Sequence, residues 1–410
     1  MARIEVVLGL GFGDEGKGTL VDWLARRGPP PLVIRWTGGP QAQHHVVTDD
    51  GRLHCFAQLG SGLFVAGART HLGPEMAVDL HALHAEAAAI AAVGVPDALA
   101  RLTIDPRARL VLPWHAIVGQ IREALRGAGR HGSTGRGVAE AKLGPHFLRA
   151  AALGRPGFAA AVEAVRAALH AEARALAAAS ADPVVHALAA RAADRVLVAS
   201  VLDAASRLGA GVLAAVPPAA EHVILEGAQG VLLDRDHGFA PHVTPSRLTR
   251  RAAEAACADL GLTGALEVWG VLRAMHTRHG AGPFPSASAA LTRRLPEAHN
   301  RGDEAAGPFR VGWFDGVLAR YALAVAGPID RLAVTCVDRS PPDARVVRAW
   351  AEGELTALPP ARRTELAARA TPELAPAPDI TSAIATLVGQ PIDLTSHGPT
   401  ARAKTVLSRP

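Results

Sequence analysis

The segment Gly9-Leu10-Gly11-Phe12-Gly13-Asp14-Glu15-Gly16-Lys17-Gly18 constrains this chain more than any other. It follows a short apolar run, Ile4 to Gly9, and precedes Thr19 to Arg26, where apolar residues recur at helical spacing, so the order reads strand, loop, helix. Such a loop turns backbone N–H groups and a helix N-terminus toward one point, which makes a cradle for phosphate. A tight turn without a ligand would use the same glycines, but Lys17 favours the cradle. Of 43 basic residues only Lys17, Lys142 and Lys404 are lysines, so a compact cation in this loop is a specific choice. The loop is P-loop-like without being a standard Walker A sequence: it carries acids, and no Ser or Thr follows the lysine. A carboxylate beside a phosphate is tolerable if it holds Mg2+ or takes a proton, and Asp14 suits either role.

The rest of the chain reads as alternating strands and helices. Leu32 to Trp36, His222 to Leu225, Ala265 to Leu272 and Leu332 to Val337 are short apolar runs bounded by turn residues, while Gly38-Gly39-Pro40 reads as irregular. Phe158 to Leu213 is alanine-rich with three- and four-residue apolar spacing, broken at Asp182-Pro183, which predicts several helices. The expected fold is α/β, a mainly parallel doubly wound sheet with helical insertions and ligands at the strands' carboxyl ends. No linker divides the chain, so residues 1–410 read as one domain with a largely helical insertion around 156–215.

With 49% hydrophobic and 20% charged residues the chain can bury a large core. No apolar run reaches the ~20 residues needed to cross a bilayer, and no secretory pattern opens the sequence, which predicts a cytoplasmic protein without a membrane partner. Cys55, Cys257 and Cys336 are sparse and odd in number, against a disulfide framework or zinc cluster. The net charge of +5 is spread among acids instead of lying in basic runs, so small anions are better expected partners than nucleic acid.

Gly13-Asp14-Glu15-Gly16-Lys17-Gly18 after an apolar strand resembles the signature loop of the adenylosuccinate synthetase family. Further matches follow in the family's order: Gly38-Gly39, Gly132-Ser133-Thr134-Gly135-Arg136-Gly137, Glu226-Gly227-Ala228-Gln229-Gly230, Leu233-Asp234, Asp236-His237-Gly238, Gly280-Ala281-Gly282-Pro283-Phe284-Pro285 and Gly312-Trp313-Phe314-Asp315. The resemblance implies a GTP-dependent ligase using Mg2+. It would phosphorylate the 6-oxygen of a purine nucleoside monophosphate, inosine monophosphate or an analogue, then displace it with an amine, L-aspartate or another. A homodimer is also implied.

By the same resemblance, Asp14 takes the N1 proton of the 6-oxopurine and His44 stabilises charge on the transferring oxygens. The loop residues Gly13, Glu15, Gly16, Lys17 and Gly18 bind GTP, with Asp338 accepting from guanine and Ser396-His397-Gly398-Pro399 closing over it through Ser396 and Gly398. Gln41, Thr134, Arg149, Gln229 and Thr244 fall at nucleotide-binding positions, and Asp14 with the Gln43 carbonyl at metal-binding ones. A non-catalytic GTP- or nucleotide-binding regulator of the same fold is the alternative; joint retention of Asp14, Lys17 and His44 speaks against it.

The departures lie on the substrate side. Pro40-Gln41-Ala42-Gln43 replaces His-Asn-Ala-Gly, and the usual pair of arginines after Arg136-Gly137 is missing, including one that crosses the dimer interface. Thr335-Cys336-Val337-Asp338 has cysteine where the family's lysine covers the guanine base. The amine loop reads Gly302-Asp303-Glu304-Ala305-Ala306-Gly307-Pro308-Phe309-Arg310, with Gly307 and Phe309 at two carboxylate-binding arginine positions. Asp303 and Glu304 add negative charge there, leaving Arg310 as the loop's cation. This predicts that L-aspartate is a poor substrate and that a neutral or cationic amine does better.

Overall fold

The computed structural model describes residues 2–297, 307–356 and 358–408, so Asp303 and Glu304 of the amine loop lie outside the described residues. The chain first lays down β1 (Ala2–Gly9), β2 (Leu32–Gly38), β3 (Arg69–Val78), β4 (His222–Gly230) and β5 (Gly264–Arg273). It then leaves for a second sheet with β6 (Met275–His279) and β7 (Phe309–Asp315). Return to the first sheet is through β8 (Arg331–Thr335), β9 (Leu394–Ser396) and β10 (Lys404–Val406). Among the described residues the main sheet has eleven strands: ten in the spatial order β10-β9-β8-β5-β1-β4-β2-β3, continued by the short strands Arg109–Leu110 and Leu148–Arg149, and an eleventh, Leu102–Ile104, paired with β3 off this path. Every pairing from β9 across to β3 is parallel, and β10 closes the edge antiparallel to β9.

Parallel strands covered on both faces need continuous apolar runs, and Ile4 to Gly9 is buried throughout. Several strand ends differ from the sequence reading, among them that of β4, which runs on from Leu225 to Gly230. β2 runs on through Gly38, which the sequence placed in irregular structure; at φ 113 it packs so closely that an added Cβ would lie 2.3 Å from that of Ala228. β8 stops at Thr335, short of Val337, because Cys336 turns into the left-handed region at φ 55 and ψ 34. The second sheet, in which β6 and β7 are joined by Arg345–Trp350 and Pro372–Pro376, and the hairpin His44–Val47/Leu53–Phe56 were not anticipated.

Helices Phe158–Ala178, Pro183–Arg191 and Val196–Leu208 occupy the alanine-rich region. Asp182 caps the second by accepting from Val184 N, with Pro183 in its first turn, where a missing N–H costs nothing. Their apolar faces join Trp114, Leu83 and Phe56 in one core. A second core, with Phe12, Phe239, Phe284, Phe314 and Tyr321, underlies the phosphate loop and the second sheet. Among the described residues no helix is long and apolar enough to cross a membrane.

Candidate active site

The glycine loop rises from the carboxyl end of β1 and turns at Gly16, whose φ of 85 places it in the left-handed region, into helix α1 (Lys17–Ala25). No side chain caps α1, so its first N–H groups are left for an anion. The loop is fixed from the neighbouring strands: Thr335 Oγ1 donates to the Glu15 carbonyl at 2.7 Å and Arg273 Nη1 to the Asp14 carbonyl at 3.1 Å. Lys17 is fully buried and donates to Gly13 O and to Glu15 Oε2, both at 2.8 Å. Glu15 Oε1 in turn accepts from Gly13 N at 2.7 Å. A Cβ at Gly9 would lie 2.2 Å from Glu15 Oε2, so that glycine makes room for this carboxylate. The Glu15 side chain is therefore a strut inside the loop, balancing the charge of Lys17.

Asp14 is a quarter exposed, with Oδ2 3.0 Å from His279 Nε2 at the end of β6. Burial works against its ionisation, but the hydrogen bond and charge of His279, with Arg273 and Lys17 behind them, hold the carboxyl below its ordinary range. Asp14 is thus an anion at neutral pH. Gln229, at the end of β4, reaches the same loop, its Oε1 lying 3.0 Å from where a Cβ on Gly13 would stand.

His44 opens the unanticipated hairpin and is buried over Gly18. Its Nδ1 lies 2.5 Å from Glu226 Oε1 and its Nε2 3.2 Å from the Ala228 carbonyl. Glu226 also accepts from Ser61 N at 3.0 Å and Ser61 Oγ at 2.5 Å, and it is paired across the sheet with Arg35. Burial opposes the Glu226 charge, yet Arg35 and His44 hold its carboxyl down to about 2. Burial also pushes the His44 imidazolium down, against the pull of Glu226. A Cβ on Gly18 would lie 2.7 Å from that of His44, so His44 stands against the end of the same loop that carries Asp14 and Lys17.

The nucleotide positions fall into two sets. Among the described residues Gln41 Oε1 and Thr244 Oγ1 are buried without a hydrogen-bond partner, an arrangement costly in a finished core and reasonable where a ligand supplies the partner. The segment carrying Thr134 is drawn toward the Thr244 loop, since His242 Nδ1 lies 3.0 Å from the His131 carbonyl. Arg149 is placed elsewhere: it is exposed on the outer edge strand, its guanidinium bound to the Arg107 carbonyl at 2.7 Å, five places from β1 in the strand order. At ordinary strand spacing that is roughly 24 Å from the phosphate loop.

On the side expected to hold guanine, Asp338 sits in the short helix after Cys336, and Ser396 Oγ donates to the Gly398 carbonyl at 2.9 Å, shaping the closing loop. On the amine side, Phe309 faces the His279 ring at 4.9 Å and Arg310 Nη2 donates to the carbonyls of Gly280 and Gly282, at 2.6 and 3.1 Å. Sequence reasoning missed Glu226, Ser61, Arg273 and His279 as parts of this site. Glu226 stood in a matching motif and carried a signal; His279 lay beside Gly280 with none.

A parallel sheet whose phosphate loop, buried ion pairs and anionic carboxylate gather at the strands' carboxyl ends defines a nucleotide-dependent phosphoryl-transfer enzyme. A family model described as adenylosuccinate synthetase matches residues 6–387. The chain is 35% identical over 347 residues to adenylosuccinate synthetase of Neisseria gonorrhoeae, covering 82% of this chain and 78% of that one. It is 33% identical to the Neisseria meningitidis serogroup A enzyme over the same shares. Among solved structures, fully ligated adenylosuccinate synthetase from Plasmodium falciparum superposes with a TM-score of 0.77 at 21% identity, covering 99% of this chain and all (100%) of that one. Cyanophage S-2L succinoaminodeoxyadenylate synthetase, bound to dGMP and to dATP as an energy donor, gives 0.61 at 20%, with 99% and 95% covered. The chain belongs to the adenylosuccinate synthetase family and is a GTP-dependent C–N ligase acting on purine nucleotides.

Members of this family use Mg2+. The residues present fit such an ion: Asp14 is anionic and partly exposed, and Gln43 is exposed in the loop before His44. Among the described residues no group of three or more His, Cys, Asp or Glu is placed to hold a metal ion.

Proposed function

We propose that this protein is an active ligase in which Asp14 and His44 carry the chemistry on a 6-oxopurine nucleoside monophosphate, and that its amine substrate is not L-aspartate. Asp14 takes the N1 proton, and electron density moves onto O6. A bond forms between O6 and the γ-phosphorus of GTP as the bond to the β,γ-bridging oxygen breaks and GDP leaves. His44, oriented by Glu226, stabilises negative charge on the transferring oxygens. The amine nitrogen then bonds to C6 and gives up one proton, the C6–O6 bond breaks and phosphate leaves with its electron pair. Asp14 releases the former N1 proton to solvent, so that N1 is unprotonated in the 6-aminopurine product. Mg2+, held by Asp14 and the Gln43 carbonyl, would neutralise phosphate charge when bound.

The observation that carries this reading is that His44 packs against Gly18 in the phosphate loop that also carries Asp14, with Asp14 held as an anion beside His279 at 3.0 Å. Gln41, Thr134, Gln229 and Thr244 would hold the nucleotide, and Asp338, Ser396 and Gly398 the guanine of GTP. Arg149, at the outer sheet edge, would serve the nucleotide of a second copy in a homodimer. The amine proposal rests on Arg310, the remaining loop cation, being committed to the carbonyls of Gly280 and Gly282.

Oxygen-isotope scrambling within GTP, measured with nucleotide and Mg2+ but no amine, tests the first half-reaction directly. Scrambling is expected in the native protein and should fall about 10²–10⁴-fold in Asp14→Asn and in His44→Ala. Near-native scrambling in either variant would remove that residue from the mechanism.

A further inference from the structure

Two of the three lysines are accounted for by the phosphate loop and by Lys142, whose ammonium binds the Glu75 carbonyl at 2.8 Å and Ser246 Oγ at 3.1 Å. The third, Lys404, lies on β10 directly opposite Ser396 of the guanine-closing loop. Its ammonium donates to the Thr400 carbonyl at 2.7 Å and to Thr19 Oγ1, and Thr19 Oγ1 donates to the Pro399 carbonyl at 2.7 Å. The lysine thus ties the 396–400 loop to α1, the helix that begins at the phosphate loop. Asp338 is among the carboxylates whose charge acts on it, although burial outweighs them and pushes the ammonium down to about 8. An ammonium has three N–H donors, and two are engaged by protein oxygens among the described residues.

We propose that Lys404 is a specificity-determining residue for the nucleoside triphosphate, donating its remaining N–H to the 6-oxygen of guanine and supplying from the C-terminal hairpin the cation that Cys336 does not. The proposal rests on the reading that Asp338 accepts from guanine N1 and N2. A base seated that way presents O6, an acceptor, beside the N1 edge, where a neighbouring cation can meet it. Adenine presents the N6 amino group at the same place, so donor would face donor and the ammonium would reject it. Asp338 and Lys404 then read adjacent atoms of one base with opposite charges, and selectivity survives the cysteine.

The test compares kcat/KM for GTP, ITP and ATP in the native protein, Lys404→Met and Asp338→Asn. ITP keeps O6 and lacks the N2 amino group. Lys404→Met should lower GTP and ITP alike by about 10–100-fold relative to ATP, whereas Asp338→Asn should hurt GTP more than ITP. A uniform drop across all three nucleotides would make Lys404 only a tether and overturn the proposal. An unchanged GTP-to-ATP ratio in Lys404→Met, with the native protein still preferring GTP, would sink Lys404 alone. Equal use of GTP and ATP by the native protein would sink the Asp338 reading and Lys404 with it. If Lys404→Met does not fold, the ratio of GDP to ADP dissociation constants for Lys404→Gln reads the same discrimination without turnover, and a native-like ratio overturns the proposal.

Discussion

The two sides of the active centre treat buried charge differently. On the phosphoryl-transfer side Lys17 faces Glu15 at 2.8 Å and Glu226 faces His44 at 2.5 Å, each pair further tied to backbone or hydroxyl groups. On the amine side Arg278 is 1% exposed beneath the face of Phe12, with Nη1 on the Pro283 carbonyl at 2.6 Å. Neither it nor its cross-strand neighbour Arg310 has a carboxylate within ion-pair distance among the described residues. Burial, with the charge of Arg310 adding to it, pushes Arg278 down to about 9. Paired charges hold groups in set ionisation states before substrate arrives, which suits a reaction centre. The unpaired arginines instead organise carbonyls of the 280–283 loop, and they have less to offer an incoming carboxylate.

The largest expected effect breaks the comparison if it fails. Two missing carboxylate-binding arginines should weaken L-aspartate by about 3–6 kcal/mol, or roughly 10²–10⁴-fold, relative to a neutral or cationic amine. Steady-state assays with inosine monophosphate, GTP, Mg2+ and rising aspartate decide the point. Saturation at low millimolar aspartate with efficient succinyl-nucleotide formation would mean that the amine side handles dicarboxylates after all.

Removing one member of a pair comes next. Lys17→Met leaves the Glu15 carboxylate 3% exposed and without its cation, which should cost about 3–5 kcal/mol in denaturant unfolding as well as phosphate affinity. Adding Glu15→Gln to that variant should recover part of the loss. No recovery would mean that Glu15 was not stabilised by the pair.

Acid sharpens the same contrast. His276, stacked on Phe314 at 5.1 Å in the second sheet, is pushed down to about 4 by burial, with Glu15 pulling weakly the other way. Above pH 6.5 both folded and unfolded forms are neutral there and stability is full. As pH falls toward 4 the unfolded chain binds a proton that the folded one refuses, and about 3 kcal/mol is lost. Unfolding free energies of the native protein and His276→Phe, compared at pH 7 and pH 4, should differ by that amount more in favour of the variant at the lower pH. An unchanged difference would show that His276 binds its proton within the fold.

These contrasts also mark what the sequence could disclose. The phosphate loop, β1 and the parallel centre were legible because glycine spacing and continuous apolar runs are local patterns. The second sheet was not: β6 reads Met-His-Thr-Arg-His, a polar string that becomes a strand only through its antiparallel register with β7. Contacts between residues far apart in sequence were hidden for the same reason. His44 meets Glu226 across 182 positions and Asp14 meets His279 across the fold, and no local period encodes either. Glu15 was read as a GTP ligand from its place in the loop; its role as the partner of Lys17 needed the geometry.

The smallest effect is the most discriminating. Replacing Arg278 by methionine removes a buried cation without stranding a carboxylate, so the penalty that attends Lys17→Met has no counterpart. What is lost is the hydrogen bond to the Pro283 carbonyl and the contact over the Phe12 ring, together about 1–2 kcal/mol. What is gained is relief from holding a desolvated charge next to Arg310, along with an apolar side chain of similar length against Phe12. The net change in unfolding free energy should therefore lie within about 1 kcal/mol of zero, and Arg278→Met should remain folded and competent for isotope scrambling in GTP. Its amine-dependent step should suffer more than that scrambling, because the 280–283 loop borders the amine side. A loss of 3 kcal/mol or more, comparable to that expected for Lys17→Met, would show that Arg278 has an anionic partner and that the two sides of the centre are alike.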